Sequence, residues 1–289
     1  MTLEQLRIFV AVAERQHVTR AAQALNLTQS AVSAAVTALE GRHRVMLFDR
    51  VGRNIVLNAA GAVFLDEARG VLARAAAAES ALDDLAGLRR GRLSIHASQT
   101  IASYWLPPRL AAFHHAHPGI ALEIAIGNTA EVAAAVVAGA AELGLVEGEV
   151  DEPALESQII DHDRMVLVVG RDHPWAAKAP GKIALTDTAW VLREPGSGTR
   201  SAFEAALGSH GLSLAVLSVA MILPGNEAVS SAVMAGAGAT VLGESAAAAG
   251  LRSGALVEIP FSLPARDFHL IRHKQRYRSQ VSAAFLAAA

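Results

Sequence analysis

The stretch that most constrains this chain runs from residue 18 to residue 57, where two short helices and a hairpin follow one another with almost no connecting sequence. Residues 19–25 and 29–40 both carry helical patterning, and only Asn26-Leu27-Thr28 separates them. Thr19 is placed to cap the first helix, Asn26 tolerates the left-handed backbone that ends it, and Thr28 is placed to cap the second. Ala21 and Ala22 are small enough for close packing, and Val32, Val36 and Leu39 form the apolar stripe of the second helix. Gln29, Ser30, Ser33 and Thr37 are left on its free face, short polar groups suited to base edges and phosphates in a major groove. An ordinary helical hairpin with a solvated face has the same spacing. The next segment favours the first reading. Residues 47–57 read as two short strands around a glycine turn, with Arg50 and Arg53 near the tip, a basic wing suited to phosphate or minor-groove contact.

Charge distribution agrees. Residues 1–58 contain seven arginines against four carboxylates, although the formal net charge of the whole chain is −2. A basic front on an acidic body suits a chain that meets phosphate with one end only. A helix over 3–15 precedes the pair, with Leu3, Leu6, Phe9, Val10 and Ala13 on one face.

The run Ala21-Ala22, Leu25, Thr28-Gln29-Ser30-Ala31-Val32-Ser33, Leu39-Glu40, Leu47-Phe48, Arg50, Gly52-Arg53, Leu57 and Ala60-Gly61 resembles the LysR-type transcriptional regulators, without a gap over about the first sixty residues. It departs at Ala34, where a basic residue is frequent, at His43-Arg44, where Leu-Gly is usual, and at Asn58, which replaces a common Thr. The resemblance implies a winged helix-turn-helix on double-stranded DNA, with Thr19, Thr28, Gln29, Ser30, Ser33, Thr37, Arg50 and Arg53 as DNA-binding residues. It also implies a homodimer that assembles into a homotetramer, and RNA polymerase as a further partner.

After Gly61 helix formers continue without proline to about Leu88. Phe64, Ala68, Val71, Ala75, Ala78, Leu82 and Leu85 recur at alternating spacings of four and three, the period of a coiled-coil seam. A helix packed on its own chain is the alternative, and the sustained repeat favours pairing of two copies. Two-fold pairing presents two recognition helices to successive turns of the groove and so predicts an inverted-repeat operator.

Beyond the short basic hinge Arg89-Arg90-Gly91-Arg92 the pattern alternates. Strands are expected at 93–97, 120–126, 142–146, 157–160, 164–169, 190–192, 216–221, 240–242 and 268–272. Helices are expected before residue 117 and at 130–138, 200–209, 226–236 and 277–287. Such alternation predicts parallel sheets with ligands beyond the carboxyl ends of the strands. The fold expected is therefore α+β multidomain: an all-α winged helix-turn-helix over 1–58, a linker helix for dimerisation over 59–90, and an α/β two-lobed effector domain of periplasmic-binding-protein type over 91–289. Its first lobe takes about 91–162 and 268–289, its second about 163–267.

Four strand-to-helix junctions share one chemistry: Ser98-Gln99-Thr100, Gly127-Asn128-Thr129, Gly196-Ser197-Gly198-Thr199 and Pro224-Gly225-Asn226. Each sets hydroxyl or amide groups beside free backbone N–H groups at a helix N-terminus, where anions bind. The same residue types are also ordinary helix caps, so their shared position at one edge of two sheets is the informative part. The effector-binding candidates are Ser98, Thr100, Asn128, Thr129, Ser197, Gly198, Thr199 and Asn226, with Arg193 supplying positive charge and Glu147 ordering the pocket or meeting a ligand amine. Arg193 to Arg200 resembles the effector-pocket segment of a family branch that responds to sulfur oxyanions and to metabolites of carbon fixation. That likeness implies a small anion, sulfite- or sulfate-like.

No catalytic residue, cofactor or metal site is expected. Gly196-Ser197-Gly198-Thr199 lacks the Gly-Lys-Ser/Thr ending of a phosphate-binding loop, and Gly236-Ala237-Gly238 lacks the third glycine of a dinucleotide fingerprint. His114, His115 and His117 share one helical turn and face different ways. The chain has no cysteine, which excludes thiolate chemistry and disulfides. Charged Glu4, Arg7, Glu14 and Arg15 near the start are unlike a secretory signal, and no apolar run approaches the roughly 18 residues of a membrane span. A cytoplasmic protein without membrane contact is expected. The competing function is a cytoplasmic two-lobed solute-binding protein or sensor that does not regulate a promoter directly, because lobed architecture alone does not separate the two.

Overall fold

A computed structural model describes residues 1–51, 54–85, 91–177 and 183–288. Arg53 and the hinge residues Arg89 and Arg90 lie outside the described residues. The chain forms two compact units, the first of Met1–Gly87 with Ala138–Ala140 and the second of Leu88–Val137 with Ala141–Ala289.

The first unit contains α1 (Leu3–Arg15), α2 (Val18–Ala24), α3 (Gln29–His43), a hairpin of β1 (Phe48–Val51) and β2 (Asn54–Leu57), and α4 (Ala59–Leu85). A reciprocal cap starts α1: Gln5 N–H donates to Thr2 Oγ1 at 3.2 Å, and Thr2 N–H donates to Gln5 Oε1 at 3.0 Å. Leu6, Phe9, Val12 and Ala13 turn into the core, whereas Leu3, expected on that face, is exposed at the helix start. Phe9 is fully buried between Phe48 and Phe64, with ring centroids 5.5 and 4.9 Å away, and ties the hairpin and α4 to the helical core. Burial of one such ring stabilises by about 1.5–3 kcal/mol. The cap of α2 is His17 rather than Thr19: Arg20 N–H donates to His17 Nδ1 at 3.4 Å, because the helix begins two residues earlier than the Thr would place it. Asn26 takes the left-handed backbone (φ 54°), and Thr28 caps α3, accepting Ala31 N–H at 3.2 Å. At Gly61 any Cβ would stand 2.1 Å from the Leu47 carbonyl oxygen, so only glycine lets α4 pass this close to the hairpin.

The α4 seam divides along its length. Ala68 is buried and Phe64 partly buried in the core of its own unit. Val71, Leu82 and Leu85 are exposed by 42%, 68% and 85%. The near end of the repeat is thus an intrachain core stripe, and the far end is an unburied apolar one.

The second unit holds two five-stranded sheets. Lobe 1 has β3 (Gly91–Ser98), β4 (Ile120–Gly127), β5 (Leu143–Glu147), β6 (Leu155–Asp163) and β12 (Arg266–His273) in the order β4-β3-β5-β12-β6. Its helices are α5 (Leu106–Ala116), α6 (Thr129–Ala138) and α10 (Gln280–Ala288), with a π-helical turn at Ile101–Trp105 ahead of α5. Lobe 2 has β7 (Met165–Gly170), β8 (Ala189–Arg193), β9 (Ser218–Leu223), β10 (Ala239–Gly243) and β11 (Leu256–Ile259) in the order β11-β7-β10-β8-β9, with α7 (Gly198–Ser209), α8 (Asn226–Met234) and α9 (Glu244–Arg252).

The sheets are mixed, not parallel throughout as expected. β3 pairs parallel with β4 and β5, and β8 parallel with β9 and β10. β12 and β7 run antiparallel to their neighbours. The reason is the crossover. β7 follows β6 out of lobe 1 and β12 returns from lobe 2, so each enters its sheet from the cleft edge and runs away from it. Helix α9 and strand β11, which the sequence reading passed over, complete lobe 2.

Candidate functional site

On α3 the free face is as expected: Gln29, Ser30, Ser33 and Thr37 are exposed, while Val32, Val36 and Leu39 are buried. Thr28 and Ser30 share a hydroxyl–hydroxyl contact of 3.0 Å that fixes both at the helix start. Arg50 is exposed on β1, opposite Ile55. Thr19 is half-buried in the first turn of α2. Ala34, the departure from the family pattern, is exposed on α3 and offers no polar group.

In the second unit the carboxyl ends of β3 and β5 and the N-termini of α6, α7 and α8 meet between the lobes. Thr100 is fully buried, and its Oγ1 accepts from Asn226 Nδ2 at 2.9 Å. Asn226 Oδ1 in turn accepts from Arg193 Nη1 at 2.6 Å. The charge of Arg193 is not free, as the sequence suggested: Glu194 takes it in a two-pronged pair, both contacts 2.8 Å. Burial pulls the Glu194 carboxyl upward, but its bonds to Arg193 and backbone N–H groups outweigh that and hold it below the ordinary carboxylate range. Three residues outside the expected set close this junction. Gln99 Oε1 accepts the Asn226 backbone N–H at 2.7 Å, while Gln99 Nε2 and Tyr104 Oη donate to Glu227 at 2.6 and 3.0 Å. Burial, with Glu227 beside it, pushes the Tyr104 hydroxyl up to about 12. The free amide expected at the start of α8 is therefore spent on the opposite lobe.

Asn128 serves its own helix. Its Oδ1 accepts Glu131 N–H at 3.0 Å, and Glu131 Oε2 accepts Asn128 N–H at 2.9 Å. Thr129 Oγ1 donates to the Glu147 carbonyl at 3.3 Å. Ser197, Gly198 and Thr199 are buried at the start of α7. Gly198 packs so tightly that a Cβ would come 2.6 Å from the Glu147 carbonyl oxygen.

A buried charged group that the sequence did not reveal lies beside them. Arg266, at the start of β12, donates to Thr199 Oγ1 at 2.8 Å and to Asp163 Oδ2 at 3.0 Å, with Glu147 Oε2 3.8 Å away. Four buried side-chain atoms have no hydrogen-bond partner among the described residues: Ser98 Oγ, Glu147 Oε1, Ser197 Oγ and Arg266 Nε. Native interiors leave few such atoms, which makes these four the candidate contact set. Glu147 and Arg266 also line a cavity of about 530 Å³, together with Thr129, Gly198 and Ser201. Among the described residues no helix is long and apolar enough to cross a membrane.

Residues 3–62 match the family described as bacterial regulatory helix-turn-helix protein, lysR family, and residues 86–289 match the LysR substrate binding domain. The chain is 34% identical over 288 residues to the uncharacterized HTH-type transcriptional regulator YeiE of Escherichia coli (strain K12), covering 99% of this chain and 96% of the relative. It is 34% identical over 258 residues to the RuBisCO operon transcriptional regulator of Acidithiobacillus ferrooxidans, covering 88% and 82%. Full-length CbnR complexed with its target DNA has the same fold, at a TM-score of 0.69 and 24% identity, covering 100% of this chain and 98% of that one. Members of the family are DNA-binding transcription factors rather than enzymes, acting as dimers or tetramers on operators and small effectors. A winged helix-turn-helix joined to a two-lobed domain, with both halves matched, makes this chain a member of the LysR family of transcriptional regulators.

Proposed function

We propose that this regulator senses a small anion held between the lobes of its second unit, in the cleft built by Ser98, Thr100, Asn128, Thr129, Glu147, Arg193, Ser197, Gly198, Thr199 and Asn226. The observation that carries the proposal is the pair of buried hydroxyls, Ser98 Oγ in one lobe and Ser197 Oγ in the other, without a partner among the described residues. A hydroxyl left so in a protein interior costs about 1–3 kcal/mol, which a bound ligand would recover. Helix N-termini at the same edge favour negative charge.

In this proposal the functional divisions are 1–58 for DNA binding, 59–90 for the linker helix and 91–289 for the effector. Thr19, Thr28, Gln29, Ser30, Ser33, Thr37, Arg50 and Arg53 meet an inverted-repeat operator in a cytoplasmic homotetramer that also engages RNA polymerase. Effector binding favours one arrangement of the lobes, and the linker helices pass it on as a change in DNA bend, limited by the effector's affinity difference between states.

The test is a thermal-shift series of the full-length protein with phosphate, sulfate, sulfite and small carboxylates, followed by footprinting and bend measurement with any anion that stabilises it. Stabilisation by an anion, lost in Ser98→Ala and Ser197→Ala, is the expected result. A flat series, or a shift that both variants keep, would refute the assignment.

A further inference from the structure

The charges in the cleft do not balance. Arg193 is matched by Glu194. Arg266 is claimed twice, by Asp163 at 3.0 Å and by Glu147 at 3.8 Å, and the three side chains are no more than 4% exposed. One buried carboxylate is in excess, and Glu147 Oε1 is the oxygen without a hydrogen-bond partner among the described residues. A carboxylate oxygen only accepts. Whatever meets it must bring a proton.

The other unpartnered atoms belong to neighbouring segments. β3 and β5 pair in parallel, and Ser98 and Glu147 are the last residues of these two adjacent strands. On the facing lobe a Cβ on Gly198, next to Ser197, would lie 2.9 Å from the Glu147 Cβ. Arg266 Nε–H offers one donor to an anion, and the two serine hydroxyls either donate or accept. The set is therefore mixed: three groups that welcome an anionic oxygen and one that repels it.

We propose that this site takes a small anion carrying its own hydrogen-bond donor, a hydrogen oxyanion or a hydroxy acid, and rejects a fully deprotonated oxyanion such as sulfate. The inference rests on the anionic reading above and adds the selection rule. The ligand's O–H donates to Glu147 Oε1, and its anionic oxygens accept from Arg266 Nε–H and the hydroxyls of Ser98 and Ser197. Sulfate has no proton to give at neutral pH and would set an oxygen against Glu147. A site that discriminates by leaving its own buried polar atom unpaired rejects more strongly than one that merely fits badly.

The test is calorimetric titration of the full-length protein at neutral pH with two matched pairs: inorganic phosphate against sulfate, and glycolate against acetate. The donor-bearing member of each pair should bind at least about tenfold more tightly. Glu147→Gln places an amide N–H₂ donor at that position and should raise sulfate and acetate affinity until the preference disappears. Sulfate or acetate binding the unaltered protein as well as its partner would overturn the proposal, and so would a preference that survives in Glu147→Gln. Should Glu147→Gln not fold, the ratios in the unaltered protein decide alone. Failure of all four ions to bind would remove the anionic reading, and this inference with it, which is a different result from a lost preference.

Discussion

Two sets of contacts cross the same cleft, and they are finished differently. On the side of Gln99, Thr100, Asn226 and Arg193, each polar group named has a partner, and the chain of bonds runs from one lobe to the other. On the side of Ser98, Glu147, Ser197 and Arg266, four atoms wait for one. Each side combines a hydroxyl with an arginine from a strand end, Arg193 on β8 and Arg266 on β12. The difference lies in whether the protein itself completes the set. A completed set ties the two lobes together, and in the function proposed above the incomplete one is left for the ligand.

Substitutions can break or sharpen that contrast. The largest effect is expected from Arg266→Met, which leaves Asp163 and Glu147 buried without their shared cation. Loss of one member of a buried ion group costs about 3–5 kcal/mol, read as a lower melting temperature and a lower denaturation midpoint. Next comes Asn226→Ala, which orphans Thr100 Oγ1 and one arm of Arg193 at a cost of about 1–3 kcal/mol. A double-mutant cycle with Thr100→Val should show a coupling of about 0.5–3 kcal/mol, and a coupling near zero would deny that the completed side acts as a unit. Gly198→Ala forces a methyl against the Glu147 carbonyl and should cost about 1–3 kcal/mol, or else part the lobes, which small-angle scattering would detect. Ser197→Ala should be smallest. Its hydroxyl bonds to no described residue, so stability without effector should hold or rise while anion binding falls. A large loss of stability in Ser197→Ala would show that the hydroxyl already has a structural duty.

The first unit was legible because its signals are local. Asn26 ends a helix, Thr28 starts the next, and Val32, Val36 and Leu39 mark the inner face within one turn or two of each other. The α2 cap differs on the same scale: His17 takes the place expected of Thr19, its ring nitrogen accepting Arg20 N–H at a helix start two residues upstream. In the second unit the strand ends were readable, and with them the short polar residues Ser98, Thr100, Ser197, Thr199 and Asn226 at the junctions, although Thr100 and Ser197 make no side-chain cap bond. Their partners were not. Arg266 is 67 residues from Thr199 and 103 from Asp163, and the run that contains it carries no motif. Gln99 sat inside a quoted junction, yet its reach to Asn226 spans 127 residues. Direction of strands β7 and β12 escaped for a related reason, because hydrophobic alternation is identical whichever way a strand runs. The coiled-coil period of α4 was correct as a period but silent about which copy of the chain it faces.

The order of strands in lobe 1 also has a mechanical meaning. The two crossing strands, β6 and β12, are neighbours, with Asp163 opposite Arg266, so the connections between the lobes leave from a single spine. Thr100 follows β3, two strand spacings, or roughly 10 Å, from β12. A turn of about 10° around the spine would part the lobes there by roughly 2 Å while hardly displacing Arg266. The Thr100–Asn226 bond then sits at the long arm of a lever whose fulcrum is the Arg266 ion group.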